Sequence, residues 1–190
     1  VVGLFAISEM LTQSTLLDQV FKRVALKAVK LPSLLDYKLT WKTILRSSGI
    51  GSFIGVLPAE GGTVASLIGY SEAKRWSKKP EEFGKGSIEG IAGAEAANNA
   101  ATGGAMVPTL ALGIPGSATT AVILTGLIIH GVRPGPDLFR EQPEFLYGIF
   151  GSMLIANIMF FVLGFFGAKI FARITLVPNK ILWPMIFAVS

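Results

Sequence analysis

Apolar and polar residues along this chain fall in long blocks rather than alternating residue by residue, which predicts helices and no half-buried strands. The clearest block is YGIFGSMLIANIMFFVLGFFGA, residues 147 to 168, which carries no charged side chain. It meets the requirement of about 20 predominantly apolar residues for a bilayer crossing and predicts a transmembrane helix. A second apolar block, residues 47 to 70, is interrupted in its middle by LPAEGG (57 to 62), and a third, residues 87 to 130, is interrupted by GIPG (113 to 116). Between them stand three polar stretches: residues 22 to 46, SEAKRWSKKPEEFGKG (71 to 86) and GVRPGPDLFREQPE (131 to 144). The chain opens on VVGLFAIS and closes on ILWPMIFAVS. Both read as parts of helices, so residues 1–190 are expected to be a single transmembrane region within a longer membrane protein.

Composition agrees with that pattern. Hydrophobic residues make up 51% and charged residues 15%, with mean hydropathy +0.59, against a charged share of about 25% in ordinary soluble domains. The 22 glycines would weaken helices in water, but in lipid small residues let helices approach closely. With no cysteine, disulfides, zinc-thiolate sites and thiol catalysis are excluded. GxxxxGK[ST], GxSxG and HExxH are absent; GIGSFIG (49 to 55) lacks both GxGxxG spacing and a preceding strand. An enzyme is therefore not expected, and no cofactor is implied.

The net charge of +5 is concentrated in two loops, which assigns it to topology rather than to nucleic-acid binding. Lys22, Arg23, Lys27, Lys30, Lys38, Lys42 and Arg46 face only Asp36 in the first loop, and Lys74, Arg75, Lys78, Lys79 and Lys85 populate the second. By the positive-inside rule both loops are cytoplasmic. Residues 47 to 70 then enter and leave by one face, turning at LPAEGG. Each arm is only about 15 Å at ten residues, half a bilayer, which predicts a re-entrant hairpin; two ordinary short helices with a surface turn are the alternative. Residues 131 to 144 read as extracytoplasmic, and the helix from 147 returns to Lys169, Arg173 and Lys180 inside. Residues 87 to 130 must therefore make one net crossing, yet as continuous helix they would run about 65 Å, twice the hydrocarbon thickness. A helix, a reversal and a broken second section are predicted.

Unpaired backbone amides in lipid cost several kcal/mol each, so a helix broken at that depth must face protein or a watery cavity. In LGIPGSATTAVIL (112 to 124) Pro115 and Gly116 open the chain, and Ser117 is placed to cap a half-helix Ala118 to Ile129 through the amides of Thr119 or Thr120. The amino end of such a helix attracts a carboxylate, and discontinuous helices carry substrates and coupling ions in secondary transporters. A proline-kinked helix with self-bonded hydroxyls is the plainer alternative. GVLPAEGGTVASLI (55 to 68) shares the order of proline, small residues and threonine, which suggests two tip loops meeting at one cavity. Between them, Glu95, Asn98, Asn99 and Thr102 fall along one face of a helix otherwise made of alanine and glycine. They suit hydrogen bonding to a polyoxygen solute or coordination of Na⁺, or equally bonding between neighbouring helices.

FGKGSIEGIAGAEAANNAATGGAMVPTLALGIPGSATTAVILTGLIIHGVRPGP, residues 83 to 136, closely resembles the signature region of the large membrane subunit of tripartite tricarboxylate transporters, the TctA type. The resemblance runs from GLFAISE (3 to 9) to the final helix and matches the C-terminal half of that subunit. It implies an all-α fold of polytopic transmembrane helices with a re-entrant hairpin and discontinuous helices, one half of an inverted-repeat transporter whose first half precedes it. It implies secondary uptake of an organic di- or tricarboxylate across the bacterial inner membrane, coupled to Na⁺ or H⁺. Its partners would be a small four-helix membrane subunit (TctB type) and a periplasmic solute-binding protein (TctC type). The substrate residues would be Asn98, Asn99, Pro115, Gly116, Ser117, Thr119 and Thr120, joined by Gly61 and Thr63, with Na⁺ near Asn98 and Asn99 and with Glu95 and Glu60 as ion-coupling candidates. One departure stands out: where the family has a PGxGA-like tip, this chain reads Pro58-Ala59-Glu60-Gly61-Gly62. An anion channel sharing the broken helices, or an assembly subunit without a pathway of its own, are the rival readings.

Overall fold

The computed structural model describes residues 31–58 and 61–171, and among them the regular elements are all helical. Contacts divide the chain into two compact units, of which one is Pro32–Gly151. That unit contains α1 (Leu34–Val56), α2 (Gly61–Trp76), α3 (Ile88–Leu112), α4 (Ala118–Ile129), the short α5 (Pro136–Glu141) and the start of α6 (Pro143–Phe171). A single 3₁₀ turn, Pro80–Glu82, lies between α2 and α3. The described part of the other unit is Leu31 and the remainder of α6, from Ser152.

α1 begins at a capping box: the Asp36 amide donates to Ser33 Oγ at 3.2 Å, and the Ser33 amide donates to the Asp36 carboxylate at 2.8 Å. No proline follows until Pro58, so the helix continues through the basic residues to Val56, 23 residues in all. α2 likewise runs 16 residues, past Lys74 and Arg75. The arms of the hairpin are thus longer than the ten residues read from hydropathy, because charged side chains do not end a helix. Arm length alone therefore no longer argues for a half-crossing. The reversal itself falls at Leu57–Pro58 and the residues up to Gly61, whose φ of +61° favours glycine. Ala59 and Glu60 lie outside the described residues, as do Lys22, Arg23, Lys27 and Lys30 of the first basic loop, the opening GLFAISE, and Arg173 and Lys180.

Three stripes of small residues at four-residue spacing pack α1, α2 and α3 together. Ser47, Gly51 and Gly55 of α1, Ala65, Gly69 and Ala73 of α2, and Gly93, Ala97, Ala101 and Ala105 of α3 are all buried. The fit is backbone to backbone: a β-carbon at Gly51 would land on the Ala97 backbone, one at Gly55 on that of Ala101, and one at Gly104 on Ser52. Packing of this kind needs no large apolar core and is how helices associate where lipid removes the hydrophobic incentive. At the base of the unit Glu89, in the first turn of α3, joins the other two helices. Thr43 Oγ1 of α1 donates to one carboxylate oxygen at 2.7 Å, and Ser77 Oγ, just past α2, donates to the other at 2.7 Å.

α3 continues through Pro108 and stops at Gly113, which takes the left-handed conformation (φ 68°, ψ 23°) and donates its N–H to the Pro108 carbonyl. The chain then runs without helix to Ser117, makes the 12-residue α4, and returns so that the Gly135 amide donates to the Leu110 carbonyl at 2.9 Å. α6 holds a stretch, Pro143–Ala168, with mean hydropathy 2.2, long and apolar enough to cross a membrane. Its Phe160, Phe166, Leu154 and Ile170 side chains are exposed, the surface expected of a helix in contact with lipid.

Candidate functional site

The predicted half-helix is present with the predicted boundaries. α4 starts at Ala118 after a five-residue break, and Ser117 is its N-cap. The Thr120 amide donates to Ser117 Oγ at 3.2 Å, while the Ser117 amide donates to Thr120 Oγ1 at 2.8 Å, a reciprocal box. Two residues nominated as binding groups are thereby turned inward to hold the helix end: Thr120 is 2% exposed, and Ser117 is half-buried. What remains open at this amino end are the amides of Ala118 and Thr119, which have no partner among the described residues, and the exposed Thr119 side chain. Pro115 lies in the extended break, and Gly116 is buried against α3, where a β-carbon would meet the Ala105 backbone. The Gly116 amide donates to Thr109 Oγ1 at 3.3 Å, and Thr109 in turn donates to the Ala105 carbonyl at 2.6 Å.

The other amino end, that of α2, lies against the same helix. Gly62 is in contact with the Asn98 side chain, whose Oδ1 occupies the space a β-carbon at residue 62 would need. Asn98 and Ala105 are seven residues apart, which is nearly two full turns, so they share a face of α3 about 10 Å apart along its axis. The tips of both broken segments are thus set against one face of α3. Asn98 is exposed and its side chain makes no hydrogen bond among the described residues, so its carboxamide is available beside Gly61, Gly62 and the exposed Thr63.

The rest of the polar face divides. The Asn99 amide donates to the carbonyl of Glu95 in its own helix at 3.0 Å, and Thr102 Oγ1 reaches the Asn98 carbonyl at 3.5 Å. Glu95 is exposed. Among the described residues no group of three or more His, Asp or Glu side chains is arranged to hold a metal. A Na⁺ ion here would need carbonyl, hydroxyl and amide oxygens instead.

A family profile, the tripartite tricarboxylate transporter TctA family, matches residues 1–190, the whole chain. The chain belongs to the TctA family. That family is described as one of tripartite tricarboxylate transporters. Two curated relatives of Agrobacterium vitis are similar to this chain. One is an uncharacterised 52.8 kDa protein of the TAR-I ttuC' 3' region, 37% identical over 97% of this chain and 37% of the relative. The other is an uncharacterised protein of the TAR-II ttuC' 3' region, 42% identical over 72% of this chain and 56% of the relative. The TctA-family chain described here therefore spans well under two thirds of the length of either. No solved structure matches it.

Sequence reasoning missed three features of this TctA-family unit. Thr109 gave no motif, although a hydroxyl four residues before the break is placed to meet a reversed chain. Glu89 stands at the start of the small-residue helix, of which only the face of Glu95, Asn98, Asn99 and Thr102 was singled out. Arg46 was counted as a topology charge, yet its guanidinium lies over the Trp76 ring at 5.4 Å.

Proposed function

We propose that this chain forms half of the translocation pathway of a carboxylate symporter. In this reading the subunit takes up an organic di- or tricarboxylate across the bacterial inner membrane, drives it with Na⁺ or H⁺, and receives it from a periplasmic solute-binding protein beside a small four-helix membrane partner. The observation that supports it is the approach of two helix amino ends, those of α2 and α4, to one face of α3 at Asn98 and Ala105. Each such end contributes about 0.3–1 kcal/mol toward an anion in water-exposed settings and more when partly buried. The carboxylate is bound by the Ala118 and Thr119 amides and the Thr119 hydroxyl at one tip, and by Asn98 with Gly61 to Thr63 at the other. Ser117 and Thr120 hold the α4 end in shape, Pro115 and Gly116 open the chain, and a re-entrant α1–α2 hairpin brings its tip to the middle of the membrane. Glu95 and Glu60 are the ion-coupling candidates; Asn99 contributes by packing its own helix.

The test is uptake by the full-length subunit reconstituted with its membrane partner and its cognate solute-binding protein, with substrates chosen by screening that binding protein. Carboxylate accumulation that requires both the binding protein and a Na⁺ or H⁺ gradient is expected, and Asn98→Ala and Thr119→Ala should lower it. Downhill flux indifferent to both would identify an anion channel instead. Normal accumulation in both variants would remove this face of α3 from the pathway.

A further inference from the structure

We infer that the base of the α1–α2 hairpin carries a binding site for the phosphate of an anionic phospholipid, with Arg46 as its central residue. Arg46 Nε and Nη2 are buried and have no hydrogen-bond partner among the described residues. One face of the guanidinium lies over Trp76 at 5.4 Å, so the Nε–Nη2 edge is the part of the group left unmatched. That edge is the fork with which arginine binds phosphate or carboxylate through two parallel bonds. Two enclosed donors without acceptors are costly to a folded protein, and an oxyanion that reaches them removes the cost. Trp76 is itself 63% exposed, so ring and guanidinium can part to admit a ligand without disturbing the packed stripe of Ser47, Gly51 and Gly55.

The surroundings select a lipid over a free anion. Beside the arginine the surface is apolar as well as basic: Trp41 is 50% exposed and Leu45 64%, and Lys42 stands over the Trp41 ring at 5.5 Å. Lys38, Lys74 and Lys78 are exposed around the same two helix segments, while Arg75 and Lys79 pair with Glu72 and Glu82. A small hydrophilic carboxylate gains nothing from this apolar surface, whereas a phospholipid whose phosphate meets Arg46 sets its headgroup beside Trp41 and Leu45 and runs its first methylenes toward the tip past Phe53, seven residues on along the same face of α1 and 71% exposed. Depth agrees, in a step that rests on the proposed re-entrant hairpin. Arg46 is about 16 Å along α1 from the turn at Leu57, and Trp76 about 22 Å along α2 from Gly61. A tip at the membrane middle puts Arg46 at the inner boundary of the hydrocarbon, about 15 Å away, and Trp76 just beyond it in the headgroup layer, the zone to which arginine snorkels and where tryptophan settles.

The experiment is native mass spectrometry of the full-length subunit titrated with phosphatidylglycerol, phosphatidylcholine or inorganic phosphate. A phosphatidylglycerol adduct is expected that phosphatidylcholine does not match and inorganic phosphate does not displace. Arg46→Gln should weaken it about tenfold, 1.4 kcal/mol, and Arg140→Gln, on the exposed end of α5 away from these two helices, should leave it unchanged. Arg46→Lys, which keeps charge and stem but loses the fork, should weaken it by a smaller factor and carries the test if the glutamine variant does not fold. Equal retention by the wild-type and either Arg46 variant overturns the proposal, as does displacement by inorganic phosphate or equal affinity for phosphatidylcholine. Transport is not read in this assay, so a failure of the symporter reading would show separately, as lipid retained by a subunit that accumulates no substrate.

Discussion

Asn98 and Gly62 touch across the interface of α3 and α2, with the asparagine Oδ1 filling the place of the β-carbon that glycine lacks. The obstacle at that position is the end of a side chain, which can swing aside. At Gly51 the obstacle is the Ala97 backbone, which cannot. Gly62→Ala should therefore leave the thermal midpoint of the detergent-purified subunit nearly unchanged while lowering carboxylate uptake about tenfold, equivalent to 1.4 kcal/mol, by displacing the Asn98 amide. Gly51→Ala should instead cost about 1–3 kcal/mol of stability through overpacking. Equal thermal losses in both would mean that Asn98 is held for packing alone.

Ser117, Thr119 and Thr120 sit within one helical turn but should behave differently. Thr120→Ala and Ser117→Ala remove halves of the reciprocal cap at the start of α4 and should each destabilise by about 1 kcal/mol. Thr119→Ala removes an exposed hydroxyl and should raise the apparent KM for carboxylate without moving the melting temperature. Uptake and thermal scans on the same preparations separate the two outcomes.

Glu89 accepts hydrogen bonds from α1 and from the residue after α2, so it should be energetically coupled to both partners, Thr43 and Ser77. In a double-mutant cycle, Glu89→Ala with Thr43→Val should cost less than the sum of the single changes, with a coupling of about 0.5–3 kcal/mol; the cycle with Ser77→Ala should show the same sign. Strict additivity in urea or thermal unfolding would mean that the carboxylate does not hold the base of the unit.

The start of α1 should respond to acid. Asp36 has its pKa lowered below the usual 3.8 by the hydrogen bonds from the Ser33 side chain and amide. A depressed carboxylate contributes stability that is present above its unfolded pKa and lost as pH falls through the folded one. Fraying of Leu34 to Tyr37, followed by hydrogen exchange, should thus set in only below pH 3.8, and Ser33→Ala should move its onset upward. An onset unaffected by Ser33→Ala would count against the capping box.

Much of this arrangement was readable from residue types. The break at Gly113 to Ser117, the limits of α4 and the Ser117 cap follow from local chemistry: a proline, two glycines and a hydroxyl before a β-branched run. The reversal after Leu57 is legible for the same reason. The lengths of α1 and α2 were not, because hydropathy marks where apolar residues end, and a helix rich in lysine and arginine continues past that point. The polar face of α3 was legible as a face, but only contact geometry separates Asn98, which meets Gly62, from Asn99, which bonds its own helix. Glu89 and Arg46 owe their roles to partners 46 and 30 positions along the chain, a distance across which periodicity carries no signal.

The excursion from Gly116 to Gly135 leaves and rejoins α3 at adjoining residues, through the bonds to Thr109 and to Leu110. A loop fastened twice at one place behaves like a bucket handle: it can tilt about its mounting but cannot slide along the rod that bears it. If the passage opens alternately to the two sides of the membrane, α4 contributes by swivelling about that shared mount. Its amino end, the part nearest the pivot, would then travel least, staying with the cargo while the far end sweeps.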